Sequence, residues 1–306
     1  MINWTADDMP DLKGKTVVVT GANSGLGFEA TKKFAQKQAQ VVMACRSIER
    51  GKNAKQDIEA EFEDADLQVK KMDLASLQSV RDFAEEFKAN NEELDILCNN
   101  AGIMAIPREE TEDGFEKQFG VNHLGHFALT AQLIPALEEA NEARIVNQSS
   151  ALHERGELNF DDLMHEESYE PMKVYGDSKL ANVLFTYELD RKLSDTDIEA
   201  LACHPGYAAT NLQSRGPEKE GSTLKKYMMK AANKVLAQSA EKGTLPMLYA
   251  ATSERAKSGD YIGPNGFKNM RGYPEKQESS EESYDEGTAE KLWRVSEELT
   301  GIDFEI

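Results

Sequence analysis

The stretch TVVVTGANSGLGFEATKKF, residues 16–34, decides how the rest of the chain is read. Three valines between threonines show no alternation of polar and apolar residues, the pattern of a strand covered on both faces. Gly21, Gly25 and Gly27 follow, and then a run with helical periodicity. Glycines between a strand and a helix let the backbone turn sharply and approach a ligand closely. They leave the positive end of the helix facing an anion. A pyrophosphate suits that position, so residues 21–27 read as a nucleotide-binding turn, although glycine clusters also make plain turns.

Outward from this unit the pattern repeats. Short β-branched runs at 15–20, 40–45, 67–72, 94–98, 143–148 and 198–204 alternate with amphipathic stretches such as 47–63 and 76–90. Such a series predicts a doubly wound α/β fold, a mostly parallel sheet of about seven strands with helices on both faces. No Gly/Ser-rich or Pro-rich linker divides residues 1–306, so one domain is expected, and the acidic stretch EKQESSEESYDE, 275–286, reads as a solvated loop.

Composition bounds the function. The 306 residues carry 55 Asp plus Glu against 35 Lys plus Arg, a net charge of −20. That surface repels phosphate backbones and anionic lipid, which argues against nucleic-acid binding. The opening MINWTADD has neither the basic nor the apolar part of a secretion signal, and no apolar run approaches the roughly 20 residues that span a bilayer. A cytoplasmic protein with no transmembrane segment is expected. Cys45, Cys98 and Cys203 all sit in apolar strand segments, which predicts buried thiols rather than disulfides or metal ligands.

The end of the second strand refines the nucleotide. A site for NAD places an acidic residue about 20 positions on, where it binds the adenosine ribose. Here Arg46 lies 19 residues after Gly27. A guanidinium suits bidentate contact with a 2′-phosphate, so NADP(H) is expected in preference to NAD(H). A chain with net charge −20 cannot attract that anion globally. Arg46 and the helix start after Gly27 must supply a local positive exception.

Further on, Tyr175 and Lys179 stand four apart in a stretch of helical periodicity, on one helix face. A tyrosine has a pKa near 10, and a fixed cation beside it favours the phenolate. The pair therefore suits general acid–base chemistry, although Tyr-x-x-x-Lys also occurs in ordinary helices.

The surrounding motifs arrive in order: TGANSGLG at 20–27, Asp73-Leu74, Asn99-Asn100-Ala101-Gly102, Asn122 in VNHLG, Ser149-Ser150, Tyr175-Gly-Asp-Ser-Lys179 and Pro205-Gly206. Together they resemble the short-chain dehydrogenase/reductase family over residues 20–210. The resemblance implies a Rossmann-type sheet, an NADP(H)-dependent oxidoreductase acting on a carbonyl or alcohol substrate, and a catalytic tetrad of Asn122, Ser150, Tyr175 and Lys179. Ser150 is preferred to Ser149 because the family's serine is usually the second of such a pair. By the same resemblance Ser150 would hydrogen-bond the substrate oxygen and Tyr175 would give or take its proton. Lys179 would lower the pKa of Tyr175 and hold the nicotinamide ribose, while Asn122 would position a water that passes protons to Lys179. The implied cofactor-binding residues are Gly21, Asn23, Ser24, Gly25, Leu26, Gly27, Arg46, Asp73, Leu74, Asn99, Ala101, Gly102, Tyr175, Lys179, Pro205, Gly206 and Thr210, with Asp73 and Leu74 beside the adenine and Thr210 at the carboxamide. A homodimer or homotetramer would be in keeping with the family.

Ser150 precedes Tyr175 by 25 residues, a wider gap than many members have. The insertion at 151–172, VNHLGHF and the ACRS strand end are similar to the branch that contains retinol dehydrogenases and the WW-domain oxidoreductase. The N-terminal membrane anchor common in retinol dehydrogenases is not seen in this sequence, which counts against a retinoid. His123 and His126 read as helix residues packed near the cofactor, His153 and His165 as pocket-edge or exposed loop residues, and His204 as a strand-end residue. Residues 207–240, with Tyr227, Met228, Val235 and Leu236 apolar beside Lys225, Lys226, Lys230 and Lys234, read as a substrate lid; the other reading of that basic amphipathic stretch is a membrane-surface contact. A 3-oxoacyl reductase is the alternative enzyme, and a non-catalytic NADP(H)-binding sensor or adaptor the alternative of another class.

Overall fold

The computed structural model describes residues 3–207, 238–304 and 306. Thr210 and nearly all of the expected lid at 207–240 lie outside them.

Eight strands form one sheet: β1 (Thr16–Thr20), β2 (Gln40–Cys45), β3 (Leu67–Lys71), β4 (Ile96–Asn99), β5 (Ala143–Gln148), β6 (Ile198–Cys203), β7 (Tyr261–Pro264) and β8 (Pro274–Gln277). Their order is β3-β2-β1-β4-β5-β6-β7-β8. Every pairing from β3 to β7 is parallel, and β8 runs antiparallel to β7 at the edge. The eighth strand exceeds the expected seven and occupies the start of the stretch read as a solvated loop. Its residues PEKQ open with Pro, which a sheet tolerates on an edge strand, and carry no β-branched signal.

Alternation along β1 divides the core. Val17 and Val19 face α1 (Gly25–Gln36), α2 (Ile48–Glu59) and α6 (Leu245–Thr252), packing with Phe34, Ile58 and Leu248. Val18 faces the other side, where Phe83 and Phe87 of α3 (Leu77–Asn90), Phe127 and Leu133 of α4 (Gly125–Glu138), Leu184 of α5 (Pro171–Lys192) and Trp293 of α7 (Glu286–Thr300) close the second layer. Both faces of the strand are buried, as its unbroken β-branched run requires. The three thiols are buried too, and burial pushes each of them up, Cys45 to about 12.

The strand order reverses between β1 and β4. In an open parallel sheet the loops at the carboxyl ends of two such strands diverge and leave a crevice, the usual place for a ligand. Thr20 and Asn99 end those two strands.

Candidate active site

The crevice is built on Thr20. Its hydroxyl oxygen accepts the backbone N–H groups of Asn100 at 2.9 Å and Ala101 at 2.8 Å, and the Asn100 side-chain amide donates to the Thr20 carbonyl at 2.7 Å. His126 of α4 adds a fourth tie: Nε2 lies 3.0 Å from the Thr20 hydroxyl and Nδ1 lies 3.0 Å from the Asn122 carbonyl. A carbonyl only accepts, so Nδ1 carries the hydrogen and Nε2 accepts from Thr20. The ring is neutral, and burial pushes its pKa down to about 4.

The glycine turn needs its glycines. Gly21 takes φ +68°, in the left-handed region. A Cβ on Gly27 would sit 2.5 Å from the Gly21 carbonyl oxygen and 2.6 Å from the Asn100 amide nitrogen. Any side chain there would force the turn away from the loop after β4. The turn and that loop border a cleft of about 840 Å³ lined by Gly21, Asn23, Ser24, Gly25, Leu26, Arg46, Asp73, Leu74, Ala101 and Gly102, all of which the sequence nominates for the cofactor. Arg46 is exposed at this cleft beside Arg50, and neither makes an ion pair among the described residues. Asp73 is fixed by its own turn, its backbone N–H donating to Ser79 Oγ at 3.0 Å and its Oδ1 accepting from Ala75 N at 3.1 Å.

Asn99 departs from the expectation. Its side chain points into the protein, donating to Thr130 Oγ1 at 2.9 Å and Asn147 Oδ1 at 2.8 Å, and Asn100 takes the cleft wall. Successive side chains leave a strand on opposite faces, so only one of the pair can reach the crevice.

Beyond Gly102 the four tetrad residues converge. Tyr175 and Lys179 share one face of α5 and are buried. The Ser150 hydroxyl stands near enough to the Tyr175 phenol to favour its phenolate, and burial outweighs that effect, pushing the phenol up to about 12. Ser149 points away: its hydroxyl donates to the Lys179 carbonyl at 2.8 Å, so Ser150 is the serine available to a ligand. Lys179 Nζ lies 5.8 Å from the Tyr175 ring centroid, donates to the Gln148 carbonyl at 2.9 Å, and is pushed down to about 8 by burial. The expected lowering of the tyrosine pKa by this lysine is therefore not seen: desolvation dominates at the phenol, and the ammonium is turned to a carbonyl.

Asn122 sits in a single π-turn, Gly120–Leu124, just before α4. Such turns expose backbone groups that an α-helix would pair, and they recur at functional sites. Its side chain is fully engaged, accepting from Ile103 N at 2.9 Å and donating to the Ile103 carbonyl at 3.0 Å and to Ser178 Oγ at 2.9 Å. A Cβ on Gly102 would lie 3.2 Å from Asn122 Oδ1 and 3.6 Å from Lys179 Nζ, so the cleft wall abuts the tetrad directly. Pro205 and Gly206 follow β6; Gly206 has φ +63° and its N–H donates to His204 Nδ1 at 3.2 Å.

Several residues the sequence singled out only weakly turn out to shape the site. His153 is buried rather than exposed, and His165 pairs with Asp177 at 3.2 Å. Within the insertion, the Tyr169 hydroxyl donates to the Ile106 carbonyl at 2.9 Å, and Gln118 joins it at 2.9 Å while holding Ala105 N at 2.7 Å. The insertion thereby fixes the loop that leaves Gly102 and Ile103. His123 packs among Phe119, Phe127 and Phe185 with Nε2 2.9 Å from Ser296 Oγ, so it and His126 address different partners.

These features fit a nicotinamide dinucleotide: a turn that tolerates no side chain at Gly27, a helix start beside it, and at the far end a guanidinium with no ion-pair partner among the described residues. Comparison with known proteins agrees. The sequence profile described as short chain dehydrogenase matches residues 15–221. The chain is 39% identical to retinol dehydrogenase 12 of Mus musculus, covering 96% of this chain and 89% of that one. It is 40% identical to human (Homo sapiens) retinol dehydrogenase 13, over 95% and 86% of the two chains. Among solved structures, an uncharacterised protein from Mycobacterium Paratuberculosis superposes with a TM-score of 0.81 at 38% identity over 100% of both chains. The L-sorbose reductase of Gluconobacter frateurii, solved with NADPH and L-sorbose, shares the fold, with a TM-score of 0.64 at 20% identity over 83% and 95%. No helix among the described residues is long and apolar enough to cross a membrane. By sequence, fold and site, the chain belongs to the short chain dehydrogenase family, in its retinol dehydrogenase branch, and is an oxidoreductase acting on CH–OH and C=O groups.

Proposed function

We propose that the protein is an NADP(H)-dependent oxidoreductase interconverting an apolar alcohol and its aldehyde or ketone, with Tyr175 as general acid and base. The observation that carries this reading is the gathering of Ser150, Tyr175 and Lys179 at the Gly102 end of a cleft whose other end is marked by Arg46. The relatives named retinol dehydrogenases widen the expected substrates to retinoid-like alcohols and aldehydes.

When bound, the nicotinamide supplies or takes the hydride. The glycine turn and the start of α1 would hold the pyrophosphate, and Arg46 with Arg50 the 2′-phosphate. A substrate oxygen placed between Ser150 and Tyr175 meets two hydroxyls. Burial keeps Tyr175 in its phenol form at neutral pH, ready to donate a proton as a carbonyl is reduced. Lys179, still mostly charged at neutral pH, supports the phenolate left behind. With the Asn122 side chain engaged, a water on the proton path would be held by the Asn122 carbonyl.

The test is a panel of apolar aldehydes, ketones and alcohols, retinal and retinol included, assayed with NADPH or NADP and with NADH or NAD. Turnover with a clear preference for the phosphorylated cofactor is expected. Tight NADPH binding with no turnover across the panel would contradict it and favour a sensor.

A further inference from the structure

His153 and His204 lie against the same ring, Tyr261 of β7, outside the tetrad. His204 stacks on it with centroids 5.2 Å apart and planes 14° apart, while His153 meets it at 5.0 Å and 63°. All three side chains are buried. Their polar atoms reach both ends of the reaction site. His153 Nδ1 lies 2.8 Å from the Ser150 carbonyl oxygen and 3.2 Å from the Tyr261 hydroxyl oxygen, and its Nε2 accepts the Ser280 N–H at 3.0 Å. His204 Nδ1 accepts the Gly206 N–H at 3.2 Å, and its Nε2 lies 3.0 Å from Gln277 Oε1.

Hydrogen positions follow from the partners, since carbonyls only accept and backbone N–H groups only donate. His153 is neutral with its hydrogen on Nδ1. His204 is neutral with its hydrogen on Nε2. The two rings carry opposite tautomers, and each spends both nitrogens tying a site loop to the C-terminal strap of β7, β8 and the residues after it.

We propose that His153 is a positioning residue for Ser150: its Nδ1–H fixes the Ser150 carbonyl, and its Nε2 registers that turn against Ser280. Ser150 needs such a hold. It is half-buried at the start of a single 3-10 turn, Ala151–Arg155, and among the described residues the backbone donor to its hydroxyl oxygen is Leu152 N at a long 3.2 Å. Its carbonyl accepts the turn's own His153 N–H at 3.0 Å, and the ring contact is shorter at 2.8 Å. Ser149, one residue earlier, is locked by the Lys179 carbonyl and depends on none of this. The ring thus sets the peptide plane that aims the Ser150 side chain at Tyr175. A misplacement of about an ångström at a reacting group costs on the order of a hundredfold in rate.

The inference rests on the assignment of Ser150 and Tyr175 made above, and the experiment separates the two. His153→Asn retains a donor where Nδ1 stood and loses the reach to Ser280; His153→Gln retains an acceptor near Nε2 and loses the donor to Ser150. With NADPH and the best substrate of the panel, His153→Gln should lower kcat by about tenfold or more while KM and NADPH affinity stay within about twofold, and His153→Asn should recover most of that loss. Equal losses in the two variants, native kcat in the Gln variant, or a loss confined to cofactor affinity would overturn the positioning role. Nitrogen NMR of the ¹⁵N-histidine-labelled native chain at neutral pH, assigned against either variant, supplies the readout that needs no turnover. The proposal expects the hydrogen on Nδ1. A hydrogen on Nε2, or a charged ring, overturns it even if the chain proves inactive, whereas inactivity with Nδ1–H in place defeats only the functional reading.

Discussion

Arg46 shows how much a single residue decides. It stands where a ribose-binding carboxylate would otherwise be expected, it is exposed at the cleft, and it has no ion-pair partner among the described residues. Elsewhere in this acidic chain cations are readily paired, Lys15 with Asp95 at 2.7 Å and Arg144 with Glu199 at 2.8 Å among them. A hydrogen bond to a charged group contributes about 1.5–3 kcal/mol. Arg46→Ala should therefore lower kcat/KM for NADPH by about tenfold to a hundredfold and leave the value for NADH nearly unchanged. Measured with both cofactors on one substrate, an equal fall in the two values would refute the 2′-phosphate assignment. Asn99 marks the limit at the same scale. Its motif is legible, but which of two adjacent amides faces the crevice depends on the pleat and on Thr130 and Asn147, residues far away in sequence.

Among the elements, β1, β2 and β4 to β6 were legible as short, largely buried apolar runs, β3 as the half-buried edge run LQVKK, and α1 to α3 because their apolar stripes have helical spacing. β7 and β8 carry no such signal. YIGP, with Gly and Pro, becomes a strand because β6 offers an edge, and PEKQ, which opens on Pro, because β7 then offers the next. The π-turn at Asn122 was likewise invisible: its sequence, GVNHL, reads as ordinary helix, and the extra residue follows from the bonds that Asn122 makes to Ile103 and Ser178. The insertion's contacts depend on Tyr169 meeting Gln118 across 51 positions, a pairing that no local pattern encodes.

On the scale of the whole molecule, the buried histidines make stability depend on pH. Burial holds His123 near 3 and His126 and His204 near 4, and it lowers His153. In the unfolded chain these groups titrate near 6.5. The folded form binds fewer protons, so their contribution is fully present above about pH 6.5 and is lost as pH falls toward the folded values. Each histidine accounts for about 1.4 kcal/mol per pH unit within its window. Thermal unfolding should show Tm falling steadily between about pH 6.5 and 5. A Tm that stays flat or rises over that interval would contradict the neutral, buried assignment.

We propose that this sheet, cleft and tetrad serve proton transfer by Tyr175 during hydride exchange with a bound nicotinamide. The most direct test is the Tyr175→Phe variant, which removes one oxygen and leaves the ring in its packing. Single-turnover reduction of the best panel substrate, measured beside NADPH binding, should show the rate lowered by about a hundredfold or more with cofactor affinity within about twofold of native. A variant that reduces substrate at close to the native rate would rule out Tyr175 as the proton donor.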